Sequence, residues 1–350
     1  MEIEHKFNFF QKADKCLSEW IEKSAMRISL EQSSVLIKEG ETNENIYILR
    51  SGELQVHGST KDGEMILISQ LVNEGALVGE MSFLECRLPV ATVTAQAGSE
   101  VLIMNKNELN NAISLDLQLG RAFYHLMAKK LSQQIQGQNT MIHSSPTNLN
   151  EPLRKILTLF ADLEESDVAW FSTNGKLYRF KPGEQLIKQD TLLPDVFLVL
   201  AGEANVSIIK DGNIKIVGKS TRGEMLGEMS MINSDDNNAT ANVKTTDGME
   251  VIAIHKTVLQ GHITSDLEFG MRFYRGMARM LSQRSRDQLT SMGMAYISGK
   301  NELQNDQNNG DIDDEIDFEM MSSITTAGIR FDWLCKQFQN RIAVKARGQI

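Results

Sequence analysis

Short apolar runs separated by glycine-containing turns occupy the middle of each half of the chain. Residues 46–49 (IYIL) and 101–104 (VLIM) have the length and composition of short strands. The Asp62-Gly63 pair between them is typical of a hairpin turn. This pattern predicts antiparallel strands that close into a sandwich or roll.

A four-residue apolar repeat follows the strand-like runs and predicts long helices. We interpret these stripes as core-facing, with packing against a partner subunit as the alternative. A further stripe opens the second half of the chain, where Pro152 suits the first turn of a helix. The three stripes are Phe123, Met127, Leu131 and Ile135; Phe269, Phe273, Met277 and Leu281; and Leu153, Ile156, Leu157, Phe160 and Leu163.

The same blocks of residues occur twice, about 150 positions apart. This period is too long for a solenoid unit and indicates a duplicated domain. The repeated blocks are Ile37-Lys38 with Ile187-Lys188, Gly52-Glu53 with Gly202-Glu203, Gly79-Glu80-Met81-Ser82 with Gly227-Glu228-Met229-Ser230, and Ala91-Thr92 with Ala239-Thr240.

Composition shifts divide the chain further. We expect a first domain over 1–140, a polar linker over 141–151 and a second domain over 152–295. Residues 296–321 are strongly acidic and predict a disordered tether, because such a segment repels itself and buries little surface. Residues 322–350 predict a short basic amphipathic helix whose apolar face carries Phe331, Leu334, Phe338 and Ile342.

Charge, cysteine content and missing motifs exclude several classes of protein. The formal net charge of −10 argues against a nucleic-acid surface spread over the whole chain. Cys16, Cys86 and Cys335 form no CxxC pair, and the amino terminus lacks an apolar signal core, so a cytoplasmic protein is expected. The histidines show no metal-binding spacing, and no nucleophile or P-loop motif is present. We therefore expect no enzyme, no metal and no cofactor.

The repeated Gly-Glu block is the strongest chemical signal. Gly75 and Gly79 precede a short apolar run that can start a helix. Glycine lets backbone N–H groups approach a ligand closely, and a helix that begins there presents donors to an anion. Glu80, in the first turn, favours the helix dipole or accepts a hydrogen bond from a sugar hydroxyl.

The order Gly52-Glu53, Gly75, Gly79-Glu80, Ala91-Thr92-Val93 resembles the cyclic nucleotide-binding domain family, and the second half repeats it. The resemblance extends to the sensor domains of the catabolite activator protein and of protein kinase A regulatory subunits. It implies an α+β fold, mainly β, with two tandem jelly-roll-like β-rolls and flanking helices. The implied ligand is cAMP or cGMP, held in a cassette formed by a short loop and helix.

The resemblance also implies which residues hold the ligand. The acid of each cassette takes the ribose hydroxyl, backbone donors take the phosphate, and a small pair follows the cassette. These positions, with the nearby arginine, are Gly79, Glu80, Met81, Ser82, Arg87, Ala91 and Thr92 in the first copy, and Gly227, Glu228, Met229, Ser230, Ala239 and Thr240 in the second.

Both copies depart from the family at the arginine that neutralises the phosphate. The corresponding positions are Pro89 and Val90 in the first copy and Asn237 and Asn238 in the second. Arg87 lies nearby in the first loop, where it either substitutes for the missing arginine or is an exposed loop residue. The second loop has Asp235 and Asp236 instead, which repel an anion. If one copy binds, we expect it to be the first.

Two functions follow from the sequence. One is a non-enzymatic regulator that responds to a cyclic nucleotide; the other is a degenerate tandem domain that serves as an adaptor. A DNA-binding regulator is disfavoured, because residues after the last long helix do not offer two helices at a DNA-reading angle. The amino terminus carries no Arg-Arg-x-Ser stretch, so the likeness to kinase regulatory subunits is architectural. The expected partners are a cyclic nucleotide and a protein that docks through the carboxyl-terminal helices and tail. A homodimer is a separate expectation, and no DNA or membrane is expected.

Overall fold

The computed structural model describes residues 7–60, 63–141, 158–210, 212–233, 237–291 and 325–340. The chain divides into two compact units. Unit 1 comprises Met1–Met141 with Leu281–Gly310, and unit 2 comprises Ile142–Met280 with Asp311–Ile350. The described residues 281–291, which the sequence division gave to the second domain, therefore group with unit 1. The linker after residue 141 and the acidic tether lie outside the described residues, as do Pro152, the start of its stripe and Ile342.

Unit 1 contains two four-stranded antiparallel sheets. One sheet has the order β1-β8-β3-β6 and the other β2-β7-β4-β5. The inward faces of the strands bury an apolar core that includes Leu49, Leu54 and Val101. The strands are β1 (Met26–Ser29), β2 (Ser34–Ile37), β3 (Asn45–Ser51), β4 (Leu54–Ser59), β5 (Met65–Leu71), β6 (Leu77–Val78), β7 (Thr92–Ala95) and β8 (Glu100–Asn105).

Helices precede and follow the strands of this roll along the chain. The predicted stripe on α5 is buried throughout, from Phe123 to Ile135, which confirms that it faces the core. The helices of unit 1 are α1 (Phe9–Lys12), α2 (Lys15–Ser24), α3 (Glu80–Glu85), α4 (Lys106–Leu115) and α5 (Leu117–Met141).

Unit 2 repeats the roll with longer, continuous strands. β11 and β14 replace the broken pairs β3–β4 and β7–β8, and they join both halves of the roll into one six-stranded sheet. The strands are β9 (Lys176–Phe180), β10 (Gln185–Ile187), β11 (Asp195–Lys210), β12 (Asn213–Ser220), β13 (Met225–Leu226) and β14 (Asn242–His255). Two β-rolls with flanking helices confirm the predicted fold class.

The repeated Gly-Glu pair lies between β3 and β4 in unit 1 and at the matching point inside β11 in unit 2, and it has a backbone reason. Gly52 has a φ of +92° and Gly202 a φ of +90°, which side chains with a Cβ rarely adopt. A Cβ on Gly202 would lie 2.0 Å from the carbonyl oxygen of Gly248. Glycine is therefore required where the strand bends from one half of the roll to the other.

Ion pairs join the helices of unit 2. Arg272 contacts both carboxylate oxygens of Asp167, at 2.8 and 3.0 Å, and Arg275 contacts Asp162 at 2.6 Å. The helices are α6 (Thr158–Asp162), α7 (Glu165–Asn174), α8 (Glu228–Ile232), α9 (Lys256–Ser265), α10 (Leu267–Ser291) and α11, over 325–340. Within the described ranges, none of the helices has the length and apolarity needed to span a membrane.

The predicted amphipathic helix near the carboxyl terminus is α11, and it packs within unit 2. Phe331, Leu334 and Phe338 are buried, and the Phe331 ring lies 4.9 Å from that of Phe160. Arg222 pairs with Asp332 and stacks over the Phe331 ring. The described part of the apolar face predicted for this helix is thus covered by its own unit.

Candidate functional site

Each cassette begins with a glycine in the left-handed region. Gly79 has a φ of +93° and precedes α3; Gly227 has a φ of +80° and precedes α8. A Cβ on Gly79 would lie 2.9 Å from the carbonyl oxygen of Asn45, and one on Gly227 would lie 3.0 Å from that of Asp195. The close approach of a strand carbonyl explains why both cassettes keep glycine here.

A cavity of about 110 Å³ lies beside the first cassette in unit 1. Its walls are mostly apolar side chains of the roll, including Val56, Ile68 and Val93. Of the residues predicted for the first site, five line the cavity: Gly79, Glu80, Met81, Ser82 and Ala91.

Arg87 and Thr92 do not line this cavity. Arg87 is half-buried in the loop after α3. Thr92 accepts a hydrogen bond at 3.1 Å from the backbone N–H of Glu39 through its hydroxyl. That bond holds the start of β7 against the loop after β2, so Thr92 has a structural role in this site.

The acid of the first cassette is paired inside the unit. Glu80 is 2% exposed, and its Oε1 accepts a hydrogen bond from the ammonium of Lys130 on α5. Lys130 also donates to Oε1 of Gln134 at 2.7 Å. A carboxylate has further acceptor positions, so Glu80 can hold Lys130 and a ligand hydroxyl together.

Lys130 was not identified from the sequence, although its position along the helix was a signal. It lies three residues after Met127 and so shares the helix face that the apolar stripe defines. A lysine on a buried face needs a partner, because an unpaired buried ammonium is costly. The sequence does not identify that partner, because Glu80 lies 50 positions away and meets Lys130 only in the folded structure.

A second lysine supports each cassette through its serine. Lys106 Nζ lies 2.9 Å from Ser82 Oγ, and Lys256 Nζ lies 2.6 Å from Ser230 Oγ. Burial lowers the pKa of Lys106 and lowers the pKa of Lys256 to about 8. Both lysines open the helix after the last strand of their roll, at matching positions of the repeat, which is the signal that could have identified them.

Strand register corrects the equivalence drawn from sequence for the residues after the cassette. Ile37 pairs with Val93 in unit 1, and Ile187 pairs with Val243 in unit 2. The bond from Glu39 to Thr92 recurs as a bond from the N–H of Gln189 to Oδ1 of Asn242, at 3.0 Å.

Ala241 and Asn242, rather than Ala239 and Thr240, therefore occupy the positions of Ala91 and Thr92. The second loop is two residues longer, and the Ala-Thr pair matched only by local sequence. By the same register, Pro89 and Val90 correspond to Ala239 and Thr240 instead of Asn237 and Asn238, so the arginine position is still uncharged.

Apolar side chains and backbone bonds hold the second cassette loop. Ala239 belongs to the apolar core of unit 2 together with Leu193, whose side chain lies next to Gly227. Ala239 also exchanges backbone hydrogen bonds with the loop at Asp190 and Thr191, at 2.8 and 2.9 Å.

The other predicted residues of the second copy have varied environments. Glu228 and Ser230 are buried, Met229 is half-buried and Thr240 is exposed. Asp235 and Asp236, which we expected to repel an anion, lie outside the described residues.

An arginine from outside the cassette lines the first cavity. Arg286, on the part of α10 that belongs to unit 1, is 5% exposed, and its Nε lies 2.7 Å from Oε2 of Glu85. Ser282 donates to the other oxygen of the Glu85 carboxylate. Burial raises the pKa of Glu85, while the charge of Arg286 opposes that rise. Sequence analysis missed Arg286 because it lies about 200 residues from the cassette.

The described residues contain no cluster of three or more histidine, cysteine or acidic side chains arranged to hold a metal ion. The site is instead a cavity of apolar walls with a few buried charges, which suits an organic ligand that carries polar groups.

Comparison with known proteins identifies several relatives. The chain is 21% identical over 223 residues to a cAMP-dependent protein kinase regulatory subunit of Mycosarcoma maydis, which covers 61% of this chain and 38% of that protein. It is 29% identical over 129 residues to cyclic GMP-binding protein C of Dictyostelium discoideum, covering 36% of this chain and 5% of that protein. The chain thus spans well under half the length of these relatives.

Solved structures give similar matches. The regulatory domain of Toxoplasma gondii PKA with cAMP is 19% identical, covering 74% of this chain and 88% of that one, with a TM-score of 0.29. The regulatory subunit of a cAMP-independent protein kinase A from Trypanosoma brucei is 16% identical, covering 73% and 87%, with a TM-score of 0.28.

The sequence model of the cyclic nucleotide-binding domain matches residues 27–116 and 177–266. These two ranges make up more than half of the chain, and each coincides with one β-roll. The chain belongs to the cyclic nucleotide-binding domain family, with two such domains in tandem.

Proposed function

We propose that this chain is a non-enzymatic regulator that binds a cyclic nucleotide, cAMP or cGMP, in the cavity of unit 1. The observation that carries the proposal is that one cavity is lined by the glycine, acid and serine of the first cassette together with Ala91. The family and the two curated relatives, named for cAMP-dependent regulation and cGMP binding, support the ligand class.

The chemistry of the cavity suits such a ligand. Apolar walls at Val56, Ile68 and Val90 accept a base, and the carboxylate of Glu80 accepts from a ribose hydroxyl. The backbone of the cassette, from Gly79 to Ser82, supplies N–H donors for the phosphate. Glu228 has the same place in unit 2, but Leu193 and Ala239 are packed into the core beside that cassette, so we assign binding to unit 1.

An adaptor that binds no nucleotide is the second candidate, and one observation favours it. Leu289, on α10, is 7% exposed and packs against Ile68, with Val56, Val90 and Ala91 around it. These residues are the apolar wall that a base would use. In the adaptor, α10 itself covers this wall permanently.

Thermal-shift measurements on the full chain decide between the two. Cyclic AMP, cyclic GMP, cyclic dinucleotides and the matching nucleosides serve as probes. A ligand at about 100 times its Kd stabilises the folded state by about 2.7 kcal/mol, which raises the melting temperature by a few degrees. A shift with cAMP or cGMP supports the regulator. Unchanged melting with every probe at millimolar concentration supports the adaptor.

A further inference from the structure

The charges around the first cavity leave the phosphate of a ligand without a cation from the cassette. Pro89 and Val90 line the cavity at the positions where an arginine is expected, and neither carries a charge. Lys130 also lines the cavity, but its ammonium is held by the carboxylate of Glu80. A buried phosphodiester needs a compensating charge, because desolvating an unpaired anion is costly.

Arg286 brings a positive charge to the same cavity. Its side chain is among the lining residues, together with Gly79, Glu80 and Pro89. It is almost fully buried at 5% exposure, so its charge is little screened by solvent. The α10 segment that carries it, from Leu281 onward, is part of unit 1.

Glu85 holds the guanidinium in place without using all of its donors. Oε2 of Glu85 lies 2.7 Å from Nε of Arg286. A guanidinium has five N–H donors in a planar fork, more than one carboxylate can accept. Arg286 can therefore contact Glu85 and a phosphate oxygen together.

Ser282 fixes the other side of this arrangement. Its hydroxyl donates to Oε1 of Glu85, and it lies one helical turn before Arg286 on α10. Ser282 and Arg286 thus contact the two oxygens of the Glu85 carboxylate from one face of α10. The position of the guanidinium is set before any ligand arrives.

We propose that Arg286 is the cation that meets the phosphate of an anionic ligand in the first cassette, replacing in space the arginine that the cassette lacks in sequence. This inference rests on the proposed function, since it assumes that a cyclic nucleotide enters this cavity. Charge-assisted contacts to phosphate from an arginine are strong and often bidentate. The contact also ties the ligand to α10, the helix that runs on from the second roll.

Titration calorimetry on the full chain tests the proposal with a charged and an uncharged probe, cAMP and adenosine. Arg286→Met should weaken cAMP binding about ten- to hundredfold, because a charge-assisted contact is lost. It should leave adenosine binding unchanged, because adenosine has no phosphate. A purely structural role would weaken both probes alike.

Arg87→Met is the matched control, since Arg87 is the arginine within the first cassette loop and does not line the cavity. We expect it to change cAMP affinity less than threefold. Equal cAMP affinity of wild type and Arg286→Met would overturn the inference while leaving the proposed function intact, and so would a large loss in Arg87→Met alone. A wild type that binds neither cAMP nor cGMP would overturn the proposed function and this inference with it.

Two further variants keep the test decisive if Arg286→Met destabilises unit 1. Glu85→Gln removes the competing carboxylate charge and keeps its shape, so cAMP binding should tighten several-fold; weaker binding would contradict the proposal. The second variant carries Glu85→Gln, Arg286→Met and Pro89→Arg together. Because Pro89→Arg supplies the charge from the cassette, it should recover most of the cAMP affinity that Arg286→Met removes. Failure of that rescue in a folded protein would also count against the proposal.

Discussion

The two cassettes begin with the same backbone turn, but the long helix after each roll offers them different side chains. Each begins at a left-handed glycine, each serine hydroxyl donates to that glycine's carbonyl, and each serine accepts from a lysine. The long helix after the roll then provides Lys130 to Glu80 in unit 1, whereas the matching position in unit 2 is Met280. The comparison teaches that the scaffold of a binding site can be kept while its electrostatics diverge.

The loops after the cassettes differ as well. In unit 1 the loop contributes Pro89, Val90 and Ala91 to the wall of a cavity. In unit 2 Ala239, at the position of Pro89, is part of the apolar core, although its carbonyl accepts from the N–H of Asp190 just as that of Pro89 accepts from Gly40. The loop that is two residues longer thus has a core residue where unit 1 has a residue of the cavity wall.

Filling the first cavity should have the largest effect on ligand binding. Ala91→Trp places an indole where Ala91 lines the cavity, and we expect cAMP affinity measured by calorimetry to fall more than about a hundredfold. The matched control is Ala241→Trp, at the equivalent position by strand register, which should change affinity less than threefold. If melting curves show both variants folded and only Ala241→Trp weakens binding, the ligand site is in unit 2.

Breaking the buried ion pair should have the largest effect on stability. Lys130→Met installs the residue type of Met280 and leaves the Glu80 carboxylate without its ammonium, at a cost of about 3–5 kcal/mol in the free energy of unfolding. Urea denaturation followed by circular dichroism measures the loss. Adding Glu80→Met should restore most of it, because an apolar pair removes the stranded charge.

Met280→Leu is the control for that experiment. It is a volume-conserving exchange at the equivalent position and should cost less than about 1.5 kcal/mol. Similar costs for Lys130→Met and Met280→Leu would show that the ion pair does not distinguish the two units.

The buried lysine of unit 2 should make stability depend on pH in the alkaline range. Burial lowers the pKa of Lys256 to about 8 in the folded state, below its ordinary value of 10.5. Between these values the unfolded chain binds more protons, so the free energy of unfolding should rise with pH from 8 to 10.5 and not change below 8 through this group.

Denaturation of wild type and Lys256→Met across that window isolates the contribution of this lysine to the free energy of unfolding. Wild type should gain up to about 3 kcal/mol over the variant from pH 8 to pH 10.5. Lys106→Met, in which the matching lysine of unit 1 is replaced, should change the profile in the same direction. A difference that stays constant with pH would contradict a lowered pKa at Lys256.

Removing the cassette serines should have the smallest effect and should rank the units. Ser230→Ala takes away the acceptor 2.6 Å from the ammonium of Lys256, at a cost of about 1–2 kcal/mol. Ser82→Ala should cost less, because Lys106 also donates to the carbonyl oxygen of Asn43 at 2.5 Å. Thermal unfolding of both variants measures which one loses more stability. A larger loss for Ser82→Ala would contradict the prediction.

Much of the fold could be predicted because its signals are local or repeated. The apolar stripes of α5 and α10 are spaced by the geometry of a helix, and the paired glycines at 52 and 202 mark a bend that only glycine fits. Repetition of Gly79-Glu80 at Gly227-Glu228 identified both cassettes. These features depend on neighbours in the chain, so the sequence carries them directly.

The alignment of the residues after the cassette could not be predicted reliably. Ala239-Thr240 resembles Ala91-Thr92 letter for letter, yet strand pairing assigns Ala241 and Asn242 to those places. A loop tolerates insertions, and register is set by which side chains the sheet must bury. Local identity in a loop therefore carries less information than pairing across strands.

By itself, the sequence determined two tandem rolls, their cassettes and the absence of an arginine from both cassette loops. Only the tertiary structure decided which charges meet in the first cavity, where Lys130 comes from α5 and Arg286 from α10. The reason is physical. Spacing along a helix or strand fixes which face a side chain occupies, but contacts between residues 50 or 200 positions apart are set by how the elements pack, which no local pattern records.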